Sequence, residues 1–256
     1  KIVQKRYTQY LFKEIFPRID ICLVISQTLM DYYSKIPGIN PKTSFFKLPI
    51  IVDFDRFKNT KQLNYDLKKP YIAYCGSSSF YKDGVNILIQ SFKEISTEFP
   101  DLYLYIAAFW EIDGHQMIGL INSLNMNDRI KYLGALSREE IPSFLNNAKI
   151  LALPRPNSRQ AQGGFPTKLG EYLASGKPVC ATRVSEIPLY LKDNESAFLS
   201  EPGDNKSFAD SLRRALNDDV KAKKVGEMGK HVANSYFSIK VQSKKLYDFL
   251  VTKIEG

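Results

Sequence analysis

From residue 71 onward, short apolar runs alternate with stretches whose apolar positions recur every three and four residues. The runs Tyr71–Cys75, Leu102–Ala108, Ile130–Leu133, Ile150–Leu153, Pro178–Ala181 and Ala197–Leu199 read as strands. Between them, residues 84–98 place Val85, Leu88, Ile89, Phe92 and Ile95 on one stripe of a helix. Ser137-Arg138-Glu139-Glu140 spells a capping box ahead of a helix with Ile141, Phe144, Leu145 and Ala148 on its apolar face. Asp204 is placed to cap another helix, carrying Phe208, Leu212, Ala215 and Leu216. Regular strand–helix alternation predicts right-handed βαβ units and an α/β fold, a Rossmann-like doubly wound parallel sheet covered on both faces.

The first 56 residues follow another pattern. A helical stretch from Ile2 to Phe16 leads to an apolar strand, Ile19 to Ile25, and a short helix, Gln27 to Lys35. A loop with Pro37, Gly38 and Pro41, a strand at Phe45–Leu48 and Pro49-Ile50-Ile51-Val52-Asp53 complete it. One or two strands do not make an independent α/β sheet, so this part reads as the end of another domain, and Lys58–Lys69 as a linker. The chain also opens on Lys1, which points to sequence upstream.

Composition narrows the class. The longest apolar run, Leu102–Trp110, is about half of what a membrane span requires. Cys22, Cys75 and Cys180 are far apart and odd in number, and read as buried, reduced thiols of a cytosolic protein. A net charge of +9 favours anionic partners, but its densest runs fall on helical patterns where a solvated face is the default.

In an open parallel sheet, ligands bind beyond the carboxyl ends of the strands. The stretch after Leu153 is the most informative of these: thirteen residues without regular pattern, Pro154 to Pro166, lead into Thr167-Lys168-Leu169-Gly170-Glu171. Gly163-Gly164 permits unusual backbone and close approach of a ligand. Pro166 suits a first helical position, which would leave the amides of Thr167, Lys168 and Leu169 free beside the positive end of a helix dipole, as a phosphate site. Glu171, one turn in, can reach back toward paired ribose hydroxyls. A second loop, Gly76-Ser77-Ser78-Ser79-Phe80-Tyr81-Lys82, offers an ammonium and hydroxyls to a phosphate, and a third, around Gly134-Ala135-Leu136, offers backbone groups to a base.

The block Phe165-Pro166-Thr167-Lys168-Leu169-Gly170-Glu171-Tyr172-Leu173-Ala174-Ser175-Gly176-Lys177-Pro178-Val179 resembles the signature helix of family-4 (group 1) retaining glycosyltransferases of GT-B fold. Gly76 with Lys82-Asp83-Gly84, Arg129–Gly134, Ile150–Pro154, Ile21–Ser26 and Pro49–Phe57 resemble further parts of that family. The resemblance implies three parts. Residues 1–56 would be the end of an acceptor domain with its crossover, 57–236 a Rossmann-like donor domain, and 237–256 a helix crossing back. It implies a cytoplasmic hexosyltransferase of polysaccharide biosynthesis that moves a sugar from a nucleotide-sugar donor to a glycan or lipid-linked acceptor. Configuration would be retained, without metal or other cofactor and without nucleic acid; peripheral contact with the inner membrane face is left open. Much of the acceptor site would lie outside these residues, which alone would be inactive.

Residue by residue, the resemblance puts Lys82 on the donor diphosphate and Glu171 on the ribose as the catalytic pair. Gly76, Ser77, Gly134, Arg155, Gly163, Gly164, Phe165, Pro166, Thr167 and Lys168 would line the substrate site. Two departures stand out: Gly163 replaces the first acid of the family's E-x7-E motif, and Ser77 replaces its turn arginine. Arg155 or Arg159 is the expected substitute cation. Gly163 and Ser77 also favour an alternative, a nucleotide- or glycan-binding subunit without turnover. Asp53-Phe54-Asp55 spells D-x-D, but it falls at the crossover and is read as no metal site; His115 and His231 lack partners for catalysis and read as surface residues.

Overall fold

A computed structural model describes residues 8–58, 60–68, 70–110 and 113–255. Residues 2–7 of the expected N-terminal helical stretch and Asn59 and Lys69 of the expected linker lie outside them.

Among the described residues, two parallel sheets form. In the smaller, β1 (Ile21–Val24) pairs with β2 (Ser44–Lys47) around helix α1 (Gln27–Tyr33), which Ser26 caps by accepting from the Leu29 amide. The larger contains β3 (Tyr71–Ser77), β4 (Tyr103–Phe109), β5 (Ile130–Gly134), β6 (Ile150–Leu153), β7 (Val179–Thr182) and β8 (Phe198–Ser200). All its pairs are parallel, in the order β5-β4-β3-β6-β7-β8, so the chain reverses its direction of travel across the sheet between β3 and β6. The predicted doubly wound α/β sheet is therefore present, each strand within a residue or two of its apolar run.

Alternation along the strands separates two cores. Tyr71, Ala73, Leu151, Leu153, Val179 and Ala181 face one side. There they meet α5 (Ile141–Asn146), α7 (Thr167–Ala174), α8 (Ile187–Tyr190) and α10 (Asp219–Phe237). Ile72, Tyr74, Ile150, Ala152, Cys180 and Phe198 face the other, against α3 (Val85–Ile95), α4 (Gly114–Ser123) and α9 (Asn205–Leu216). Asp204 caps α9 by accepting from the Lys206 and Ser207 amides, as its position predicts. Ser137 and Glu140 bond to each other, but in a turn ahead of α5, so the box precedes the helix rather than forming its first turn. The last helix, α11 (Ile239–Ile254), returns to the small sheet, where Phe249 packs on Phe46 with ring centroids 4.8 Å apart.

Three expectations around the site are corrected. The thirteen residues after Leu153 are not an unbroken loop: Ser158 accepts from the Ala161 amide and opens a short helix, α6 (Arg159–Gly163). Its only inward anchor is Ala161, too little for a readable period. Neither Gly163 nor Gly164 has a left-handed backbone; Gly164 is extended at φ −99°. Pro166 sits one place earlier than predicted, as the extended residue before α7.

Candidate functional site

A crevice of about 500 Å³ opens where β3 and β6 diverge, at the carboxyl ends of the strands. Its floor is a buried charge cluster. β3 ends in a turn where Ser79 caps the short helix α2 (Phe80–Asp83) by accepting from the Lys82 amide, which turns Asp83 inward. Gly84 follows at φ +71°, with the Pro154 carbonyl so close that any Cβ there would collide with it. Asp83 accepts from Ser77 Oγ at 2.8 Å and pairs with Lys168 Nζ at 2.9 Å. The Lys168 ammonium also lies 5.1 Å from the Tyr74 ring centroid, and passes over Gly76, where a side chain would strike it. A side chain at Gly76 would therefore displace the Lys168 ammonium from its place beside Asp83.

Arg155 completes the cluster from the end of β6. It is 5% exposed, its Nε is buried without a hydrogen-bond partner, and its guanidinium lies beneath Gly164. Burial pushes Asp83 up, but Lys168 and Ser77 more than offset this and hold its carboxyl below the ordinary range. Burial pulls Lys168 and Arg155 down, against the attraction of Asp83. Both directions hold together because one buried carboxylate faces two buried cations. Lys82 adds a third cation at the mouth, with no ion pair among the described residues. Of the three cysteines expected to be buried, Cys180 is, whereas Cys22 and Cys75 are partly exposed; Cys75 lines the crevice, where desolvation pushes its thiol up to about 12 and keeps it protonated at neutral pH.

The N-terminus of α7 forms the wall. Among the described residues the amides of Thr167 and Lys168 have no intramolecular hydrogen bond, whereas that of Leu169 donates to the Pro166 carbonyl at 3.0 Å. Two free amides, rather than the three expected, face the crevice at the positive end of the helix. Glu171 lines the same crevice, as its place on the helix predicts, but it is not alone: Arg56 Nη1, from the turn Phe54–Phe57, pairs with Glu171 Oε1. The opposite end is apolar, with Ala107, Ala108, Phe109, Leu136 and Ile141, and Phe109 is 68% exposed.

Of the residues expected in the site, Gly76, Ser77, Lys82, Arg155, Gly164, Phe165, Pro166, Thr167, Lys168 and Glu171 line the crevice. Ser77 does not offer a free hydroxyl, because its proton goes to Asp83. Gly134 stays outside the lining, and its φ of +77° turns Ala135 and Leu136 inward instead. Gly163 also stays outside: its carbonyl accepts from Ser26 Oγ on the small sheet, and a Cβ there would meet only Leu29, at 3.8 Å. Arg159 lies exposed on α6, outside the crevice lining, so of the two candidate cations Arg155 is the one that lines the crevice. Asp53 caps the turn after β2 by accepting from the Asp55 amide, and Asp55 pairs with Lys58 at 2.6 Å.

Sequence reasoning missed Asp83, Arg56 and Phe109. Asp83 stood beside Lys82 in the same turn, between a lysine and a glycine that give no sign of its burial; Arg56 lies 115 residues from its partner and had no local signal either.

An electropositive crevice at the switch point of a doubly wound parallel sheet defines a Rossmann-like domain of the kind found in GT-B glycosyltransferases. Residues 55–232 match the family Glycosyl transferases group 1, and the chain belongs to that family. It is 28% identical over 187 residues to a D-inositol 3-phosphate glycosyltransferase of Corynebacterium diphtheriae, a match covering 69% of this chain and 42% of that protein. The chain thus spans under half the length of that relative. A glycosyltransferase of Rickettsia africae superposes with a TM-score of 0.75 at 18% identity, covering 98% of this chain and 68% of that one. Anabaena HepE in complex with UDP and glucose superposes with a TM-score of 0.74 at 16% identity, covering 91% and 63%. Among the described residues no helix is long and apolar enough to cross a membrane.

Proposed function

We propose that the crevice binds a nucleotide-sugar and serves its transfer, with retained configuration, to a glycan or lipid-linked acceptor. The observation that carries this reading is the charge balance of the crevice. Lys168 is matched by Asp83 and Glu171 by Arg56, which leaves Arg155 and Lys82 uncompensated beside the two free amides of α7. Two unpaired cations match the two negative charges of a sugar diphosphate diester, so a neutral sugar fits best. UDP in Anabaena HepE supports a nucleotide of this kind.

In this reading the diphosphate lies over α7, the ribose on Glu171 and the base at the apolar end, against Phe109 and Leu136. Breaking the bond between the anomeric carbon and the diphosphate builds charge on the departing oxygen. Lys82, Arg155 and the amides of Thr167 and Lys168 meet it in place, without a resident metal or cofactor. The wall beside α6 receives Ser26, just past the end of β1, and in this reading the acceptor approaches from that side.

Calorimetric titration of UDP, GDP and ADP tests the assignment. At least one should bind, and Lys82→Ala and Arg155→Met should each weaken it about tenfold or more, the worth of a hydrogen bond to a charged group. Wild-type affinity in both variants contradicts the assignment.

A further inference from the structure

Arg56 belongs to no loop of the six-stranded sheet, yet it touches the residue assigned to the ribose. Its own position is held from both sides. Asp53 caps the start of its turn, and the Phe57 carbonyl at the turn's end accepts from Asn146 Nδ2 of α5 at 3.2 Å. From this anchored turn one guanidinium bridges two elements: Nη1 donates to Glu171 Oε1 on α7, and Nη2 donates to the Arg138 carbonyl, in the turn before α5, at 2.8 Å. The planar fork of an arginine fixes both contacts at once, which a lysine cannot do.

The direction of approach matters. Arg56 lines a separate depression with Asp53, Lys61 and Arg138, and is not among the residues of the crevice itself. It grips Glu171 from behind and leaves the crevice open. Glu171 Oε2 has no partner among the described residues. A free glutamate has three side-chain torsions to order on binding; one already clamped through Oε1 spends less entropy on its ligand.

We propose that Arg56 is a positioning residue that presents Glu171 Oε2 to the paired hydroxyls of a nucleotide ribose. The inference rests on the assignment of Glu171 to the ribose, and discrimination between ribose and 2′-deoxyribose separates the two. Affinities of the chain for UDP, GDP, ADP and CDP and for their 2′-deoxy counterparts are measured by calorimetry. Wild type should prefer the ribose form by about tenfold or more. Glu171→Gln should bring that ratio within about threefold of unity, and Arg56→Ala should do the same although Arg56 touches no ligand, with Arg56→Lys in between. Arg56→Met, which keeps the aliphatic stem, replaces Arg56→Ala if the latter does not fold. General loosening would weaken both forms of the nucleotide alike and leave the ratio unchanged. A wild-type ratio in the Arg56 variants, with loss in Glu171→Gln, overturns the role of Arg56 alone. A wild-type ratio in Glu171→Gln, or no nucleotide bound, overturns the ribose assignment and this inference with it.

Discussion

The six-stranded sheet buries both faces under helices, and nearly every residue of β6, β7 and β8 is inaccessible. In β1 and β2 only Val24 is buried, and Leu23 is half exposed. Polar contacts carry much of the small sheet's attachment: Ser26 to the Gly163 carbonyl, and both the Gln27 amide and Lys47 Nζ to the nearly buried Glu186. Apolar burial is non-directional and tolerant, worth about 1.5–3 kcal/mol per large side chain. Directional polar contacts are fewer and each matters more to geometry. The first sheet is built to persist; the second is aimed at the loops around the crevice.

This contrast predicts a ranked set of effects. The largest belongs to Asp83, inside the well-buried half. Asp83→Ala leaves Lys168 and Arg155 buried without an anion, and should cost about 3–5 kcal/mol in chemical denaturation together with nucleotide binding. The pH dependence follows from the same group. Its carboxyl is held low in the folded chain, so its contribution is fully present above the unfolded value of about 3.9 and is lost as pH falls through the folded value. Acid unfolding of Asp83→Asn should therefore be shallower than that of wild type below about pH 4; identical profiles would remove the ion pair from the account.

A smaller effect, confined in space, is expected at Glu186. Glu186→Gln weakens a charged contact to Gln27 and Lys47 and should cost about 1–3 kcal/mol. Hydrogen exchange should speed up in residues 21–47 and stay unchanged in β3 and β6. Equal acceleration in both sheets would break the contrast. The smallest effect belongs to Gly163, whose carbonyl, not its missing side chain, makes the contact. Gly163→Ala should change stability by no more than about 0.5 kcal/mol in thermal unfolding, since its backbone is ordinary and its surroundings open.

The same contrast explains what could be read in advance. Parallel strands covered on both faces are continuous apolar runs, so Ile150–Leu153 and its neighbours stand out, and Asp204 announces α9 through local chemistry. The N-terminus of α7 was legible for the same reason: proline, free amides and a glutamate one turn on are neighbours in sequence. Contacts made across the fold left no local trace. Asp83 meets Lys168, and Arg56 meets Glu171, only after β3, β6 and the turn Phe54–Phe57 assemble. Helix α6 escaped because five residues around one buried alanine carry no period. Gly163 was misread because a glycine pair suggests strained backbone, whereas here it leaves room.

The most direct measurement is a crystal structure with the nucleoside diphosphate that titration selects. The diphosphate should lie within hydrogen-bond distance of the Thr167 and Lys168 amides, with Lys82 and Arg155 as its counter-charges and the base beside Phe109. A nucleotide bound elsewhere, with those two amides still unpaired, would contradict the account.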